Sequence, residues 1–220
     1  MDQSLIKRKS AKFIRAVESP KDMELWFQNN PQAIGVAMVG RSNVGKSTLI
    51  NSLFGNKTAK TSKTPGRTQA VNIFTFTLEG NDEVEYYLYD LPGYGFASVS
   101  KAMLRNWGAL MTTFFTKMTP TTVLFNLQDA RNPNQKSDQS FYEYLNMDHL
   151  EVYLVFNKMD KLKKQKERAA LNKLKPMLFE KFKKVKQIFF ISADKKEGTE
   201  PLEAALTSYL HKMHMTINLK

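Results

Sequence analysis

Gly40, Arg41, Ser42, Asn43, Val44, Gly45, Lys46 and Ser47 follow the spacing G-x-x-x-x-G-K-S, which suits chemistry on a phosphate chain. In such a loop, successive backbone N–H groups and the N-terminus of the next helix surround phosphate oxygens. Gly40 and Gly45 allow the turns and the close approach of backbone to phosphate, and Thr48 extends the set into the helix. Lys46 is placed to reach the β- and γ-phosphates, which makes it a catalytic candidate, and the Ser47 hydroxyl is placed to ligate Mg²⁺. Alone, this loop fits kinases, ATPases and GTPases equally.

Two further motifs narrow the class. Asp90-Leu91-Pro92-Gly93 ends an apolar run, so that Asp90 can hold Mg²⁺ through water and the Gly93 N–H can sense a γ-phosphate. Asn157-Lys158-Met159-Asp160 matches the N-K-x-D guanine pattern. Guanine presents its N1–H and N2 amine side by side, and the single carboxylate of Asp160 can accept from both. Adenine offers no such pair and would leave a buried carboxylate unpaired. Asn157 is expected to bond the purine's other edge and the phosphate loop, and the Lys158 stem to lie across the base. Ser192-Ala193, after the last apolar run, supplies a small-residue loop whose backbone N–H can meet the guanine O6.

These residues need elements that bring them to one place. Ile34–Val39, Val71–Leu78, Val84–Tyr89, Thr122–Leu127, Val152–Phe156 and Gln187–Ile191 read as strands, with Glu79-Gly80-Asn81-Asp82 as a hairpin turn. Helical spacing occupies Lys46–Phe54, Lys101–Lys117, Asn134–Asn146, Lys161–Lys184 and Pro201–Met213, and Pro176 is expected to divide or kink the fourth. The pattern predicts an α/β domain: a six-stranded, mostly parallel sheet with one antiparallel edge strand and helices on both faces. Ligands on such sheets sit at the carboxyl ends of the strands, where each motif stands. A basic extension over residues 1–30 packs on this domain, which spans 31–220.

With 220 residues, 42% hydrophobic and 25% charged, the composition is that of a folded domain and excludes a disordered chain. There are no cysteines, so no disulfide forms, and no run of about 18 apolar residues suggests a membrane span. His149, His211 and His214 lack partners at metal spacing, so no zinc is expected. The net charge is +12, concentrated in Lys161–Lys186, where eleven Lys or Arg face two Glu for a local +9. Leu171, Leu174, Leu178, Phe182 and Val185 give this stretch one apolar face, turning the lysines outward towards a polyanion such as RNA or an anionic membrane.

The strings GRSNVGKSTLIN, KTPGRTQ, DLPGYGFA, NKMD and ISA, in this order, resemble the EngB (YsxC-like) family of the TRAFAC class of P-loop GTPases, over Ile34 to Leu210. The resemblance implies a Ras-like domain with GTP and GDP as ligands and Mg²⁺ as cofactor. It also implies a cytoplasmic monomer that assists assembly of the bacterial large ribosomal subunit on rRNA and ribosomal proteins, with a link to cell division. By the same match, Thr68, beside Gly66 and Arg67, is the catalytic switch threonine that joins Mg²⁺ when the γ-phosphate is present, with Thr64 its rival in the same loop. Lys57–Gln69 and Asp90–Lys101 are then the two switch loops. Signalling GTPases often carry a glutamine where Tyr94 stands, which implies slow intrinsic hydrolysis raised by a partner or a cation. Asn43 occupies the position where K⁺-stimulated relatives place an Asn that can ligate the ion. A membrane- or protein-directed signalling GTPase is the alternative reading, and a P-loop ATPase or small-molecule kinase a third.

Overall fold

The computed structural model describes residues 5–55, 58–59, 70–95, 101–145 and 150–219, with side chains of the helix at Lys101 described from residue 104. Among these residues, seven strands form one sheet: β1 (Lys12–Val17), β2 (Gly35–Gly40), β3 (Val71–Leu78), β4 (Asn81–Asp90), β5 (Thr122–Asp129), β6 (Val152–Asn157) and β7 (Val185–Phe190). Their order is β1-β3-β4-β2-β5-β6-β7. The strands from β4 to β7 in that order run parallel, while β3 pairs antiparallel with β4 across the Glu79-Gly80 turn and β1 antiparallel with β3.

The expected sheet had six strands, and the seventh is the N-terminal β1. Its sequence KFIRAV is exposed at all but Val17, so neither alternation nor a continuous apolar run marks it. Main-chain pairing to β3 is what makes it a strand. The same N-terminal segment is fastened further along. Ile6 is fully buried and its N–H donates to Glu203 Oε1 at 3.0 Å, while Arg8 donates to Glu203 Oε2 at 2.5 Å.

Among the described residues, six α-helices cover the sheet: α1 (Pro20–Asn29), α2 (Lys46–Phe54), α3 (Lys101–Lys117), α4 (Lys136–Tyr144), α5 (Gln165–Lys181) and α6 (Thr199–Asn218). The Ser19 hydroxyl caps α1 by accepting from the Asp22 N–H, with Pro20 in the first turn where no N–H is needed. The strands' two-residue period sorts the core into two layers. Ala37 and Val39 of β2 face α1, α3, α4 and α5, and Val36 and Met38 face α2 and α6. Pro176 does not divide α5, which runs unbroken through it. Both Pro176 and Asn172, the residue whose carbonyl loses its amide partner, are exposed, so water can serve the unmatched group. No helix of the described residues is long and apolar enough to cross a membrane.

Register places the motifs together. Gly40, the last residue of β2, pairs with Leu127 of β5, Met38 with Asp90 of β4, and Asp129 of β5 with Asn157 of β6. All these strand ends lie at one carboxyl edge. The layer beneath α1 and α3 rests on Phe114, fully buried among the rings of Phe27, Tyr89 and Phe115 at 5.5, 5.3 and 5.4 Å. Phe114→Ala is expected to lower the unfolding free energy by about 3–5 kcal/mol, read as a shifted urea midpoint at unchanged m.

Candidate functional site

The phosphate loop runs from the end of β2 into α2. Asn43 and Gly45 both have positive φ, at 62° and 98°, the kind of left-handed turn from which anion-binding nests of backbone N–H groups are built. Asn is among the few side chains that accept this region. Gly45 has no alternative, because a Cβ there would stand 2.4 Å from Asn157 Nδ2.

That close contact belongs to the guanine motif. Asn157 is buried at the end of β6; its Nδ2 donates to Val44 O at 3.0 Å, and its Oδ1 accepts from the Lys158 and Ala193 N–H groups at 2.8 and 2.9 Å. One amide thus joins the phosphate loop, the N-K-x-D turn and the loop after β7. In the Ser192-Ala193 loop, expected to offer a backbone N–H to a purine oxygen, the Ala193 N–H donates to Asn157 Oδ1, and Asp194 is the residue of this loop that borders the cavity. The cavity has a volume of about 210 Å³, and Gly45, Thr48, Lys158, Asp160 and Lys161 also wall it.

Lys158 sits at φ 69° and stretches over this cavity, its Nζ donating to Asn43 O at 2.6 Å and to Asp129 Oδ2 at 3.0 Å. Asp129 was not among the residues singled out from sequence, where the strand was read to end at Leu127; its place next to Asn157 comes from the register of β5 on β6. Burial works to raise its carboxyl, but hydrogen bonds from Arg131 and Lys158 outweigh that and hold it well below the usual carboxylate range. Asp160 Oδ1 accepts from the Ser192 hydroxyl at 2.7 Å and Oδ2 pairs with Lys161 at 2.9 Å. The Ser192 hydrogen bond first, and then Lys161, lowers the Asp160 carboxyl below its ordinary value. A preset, ionised acceptor at the cavity wall suits two adjacent donors on a ligand.

On the phosphate side, Lys46 Nζ is in direct contact with Asp90 Oδ1, and Ser47 is half-buried in the first turn of α2. Gly93 lies so close to the loop that a Cβ would be 3.1 Å from Gly40 O. Arg41 turns its side chain away from the loop, donating through Nη1 to Gln135 Oε1 at 2.5 Å and through Nη2 to Asn132 O at 2.8 Å. Its main chain and that of Ser42 remain in the loop, with the Ser42 N–H donating to Tyr94 O at 3.2 Å. Tyr94 itself points into the core: it is buried, donates to Asp138 Oδ1 at 2.9 Å and stacks on Phe141. Thr64, Gly66, Arg67 and Thr68, and residues 96–100 of the second expected switch loop, lie outside the described residues.

A family model described as "50S ribosome-binding GTPase" matches residues 35–158. The "Probable GTP-binding protein EngB" of Prosthecochloris aestuarii is 42% identical over 176 residues, which is 79% of this chain and 86% of that one. Among solved structures, Era in complex with MgGDPNP and nucleotides 1506–1542 of 16S ribosomal RNA is similar at 25% identity and a TM-score of 0.66, over 80% of this chain. The chain spans about half the length of that protein, 56%. The crystal structure of a probable GTP-binding protein engB shares the fold at a TM-score of 0.60 and 24% identity, over 81% of this chain and 99% of that one.

The Asp160 geometry makes a prediction that needs no ligand. With its pKa depressed in the folded state, this carboxylate favours folding above the unfolded pKa of about 3.9, and the contribution is lost as pH falls through the lower folded value. Ser192→Ala removes the largest cause, so the Asp160 carboxyl should titrate closer to its ordinary value, as read from the side-chain carbon shift in an NMR pH series.

Proposed function

The chain belongs to the EngB family of GTP-binding GTPases, and from that premise we propose that it is a nucleotide-controlled switch acting in assembly of the large ribosomal subunit. In this reading Asp160 accepts from guanine N1–H and N2, Lys158 covers the base, and the loop from Gly40 to Ser47 cradles the phosphates. Lys46 leaves Asp90 to reach the β- and γ-phosphates, and Gly93 contacts the γ-phosphate through its N–H. Thr68, with Thr64 the alternative, closes over the γ-phosphate beside Gly66 and Arg67.

Ser47 and Asp90 fit Mg²⁺, being oxygen donors of the kind a hard cation takes, and the Asp90 carboxylate already holds a positive group against it. When bound, that ion neutralises charge shared between β- and γ-phosphates. Asn43, exposed at the rim of the loop, is placed for a monovalent cation in the same service. Hydrolysis is then faster in K⁺ than in Na⁺ at equal ionic strength; equal phosphate-release rates in the two salts would remove Asn43 from this role.

The observation that carries the ribosomal part is the charge on α5, β7 and the turn between them. Lys166, Lys173, Lys183 and Lys186 are exposed there, and acidic residues are too few for ordinary pairing along the helix. Such a face suits an RNA backbone in the cytoplasm, and the matched family is described by binding to the 50S particle. The test is co-sedimentation with 50S subunits, in GDP and in a non-hydrolysable GTP analogue, across a salt series. Reversing these four lysines to Glu should weaken association by at least tenfold and flatten its salt dependence, with GDP affinity unchanged. Association indifferent to both nucleotide and lysines, or binding to anionic vesicles in its place, would refute the assignment.

A further inference from the structure

The residue following Asp90-Leu91-Pro92-Gly93 is built into a buried polar cluster that the reading above does not use. Tyr94 donates its hydroxyl to Asp138 Oδ1 at 2.9 Å and accepts from Asn126 Nδ2 at 3.0 Å. Asn126 Oδ1 in turn accepts from the Tyr142 hydroxyl at 3.2 Å. Asp138 and Asn126 are fully buried, and Tyr94 is 5% exposed. Asp138 also accepts from the Gln135 N–H at 2.9 Å, and the Arg41 guanidinium stands 3.2 Å from its Oδ1. Burial raises the carboxyl of Asp138 and the phenol of Tyr94.

Packing alone does not call for these polar groups. The Tyr94 ring stacks on Phe141 at 4.5 Å, a contact that phenylalanine would make as well. The hydroxyl has a different consequence. Asp138, on α4, gathers one residue from the phosphate loop, Arg41, and one from the strand-end turn, Tyr94. The main chains of those two segments are also joined, since the Tyr94 N–H donates to Gly40 O and the Ser42 N–H to Tyr94 O, each at 3.2 Å. Gly93 lies directly before this double fastening.

We propose that Tyr94 and Asp138 are positioning residues for GTP hydrolysis: together they pin the turn after β4 to the phosphate loop and thereby set where the Gly93 N–H stands. Tyr94 is then not a stand-in for a water-orienting glutamine. The proposal rests on the assignment of Gly93 to the γ-phosphate.

The test measures kcat and KM for GTP, and affinities for GDP and a non-hydrolysable GTP analogue, in Tyr94→Phe, Asp138→Ala, the double variant, Asp138→Asn and Gly93→Ala. Losing the pin should lower kcat by about tenfold, the worth of one buried hydrogen bond, while GDP affinity stays within about twofold. The double variant should be no worse than either single one, and Asp138→Asn, whose amide oxygen still accepts, should recover part of the rate. GDP affinity and thermal midpoint report folding, and Tyr94→Phe carries the test if Asp138→Ala does not fold. Unchanged kcat in Tyr94→Phe, additive losses, or parallel weakening of GDP and the GTP analogue would overturn the pin while leaving Gly93 in place. A Gly93→Ala protein with unaltered kcat and unaltered preference between the two nucleotides would overturn both.

Discussion

The carboxyl edge of the sheet is organised around one side-chain amide. Asn157 spends its Nδ2 proton on the phosphate loop at Val44 and its Oδ1 on the N–H groups of Lys158 and Ala193. Three loops that are far apart in sequence are thus held in register by bonds made where little water competes, so each is strong and each would be costly to leave unmade. The left-handed turn at Gly45 follows from the same contact, because only a residue without a Cβ lets the loop come so close to Asn157.

Around that amide the charges form short, local circuits. Lys158 is shared between a loop carbonyl and Asp129, Asp129 is shared with Arg131, and Asp160 is oriented by Ser192 and Lys161. Lys158 and Asp160 are each held in part by a neighbour outside the motifs, Asp129 and Lys161. The loops therefore arrive preorganised, and ordering entropy is met on folding instead of on ligand entry.

Much of this was legible in the sequence because it depends on local pattern. The glycines and lysine of the phosphate loop, the Asp90 turn and the N-K-x-D turn each end a strand as read, and the seventeen residues of α3 are those that helical spacing predicts. What was not legible depends on distant partners. β1 is exposed and is a strand only through β3, so composition could not reveal it. Tyr94 was noted only as standing where signalling GTPases often carry glutamine, because its partners, Asn126 and Asp138, lie more than thirty residues away. The loop at Ser192 and Ala193 was read as facing a ligand, and no local rule says that Asn157 takes the Ala193 N–H. Pro176 was expected to divide or kink its helix, and it does not divide it, where the exposed face tolerates the unmatched group.

Glu203 carries a consequence for the extent of the cooperative unit. It is 3% exposed, and its donors, the Ile6 N–H and Arg8, come from the other end of the chain. Nothing trimmed to begin at β2 would keep them: such a fragment would hold a buried acid with no donor and would present β3 as a bare sheet edge. The segment before α1 is therefore less an appendage than a suture, closing the rim of the sheet and the underside of α6 in one pass of chain.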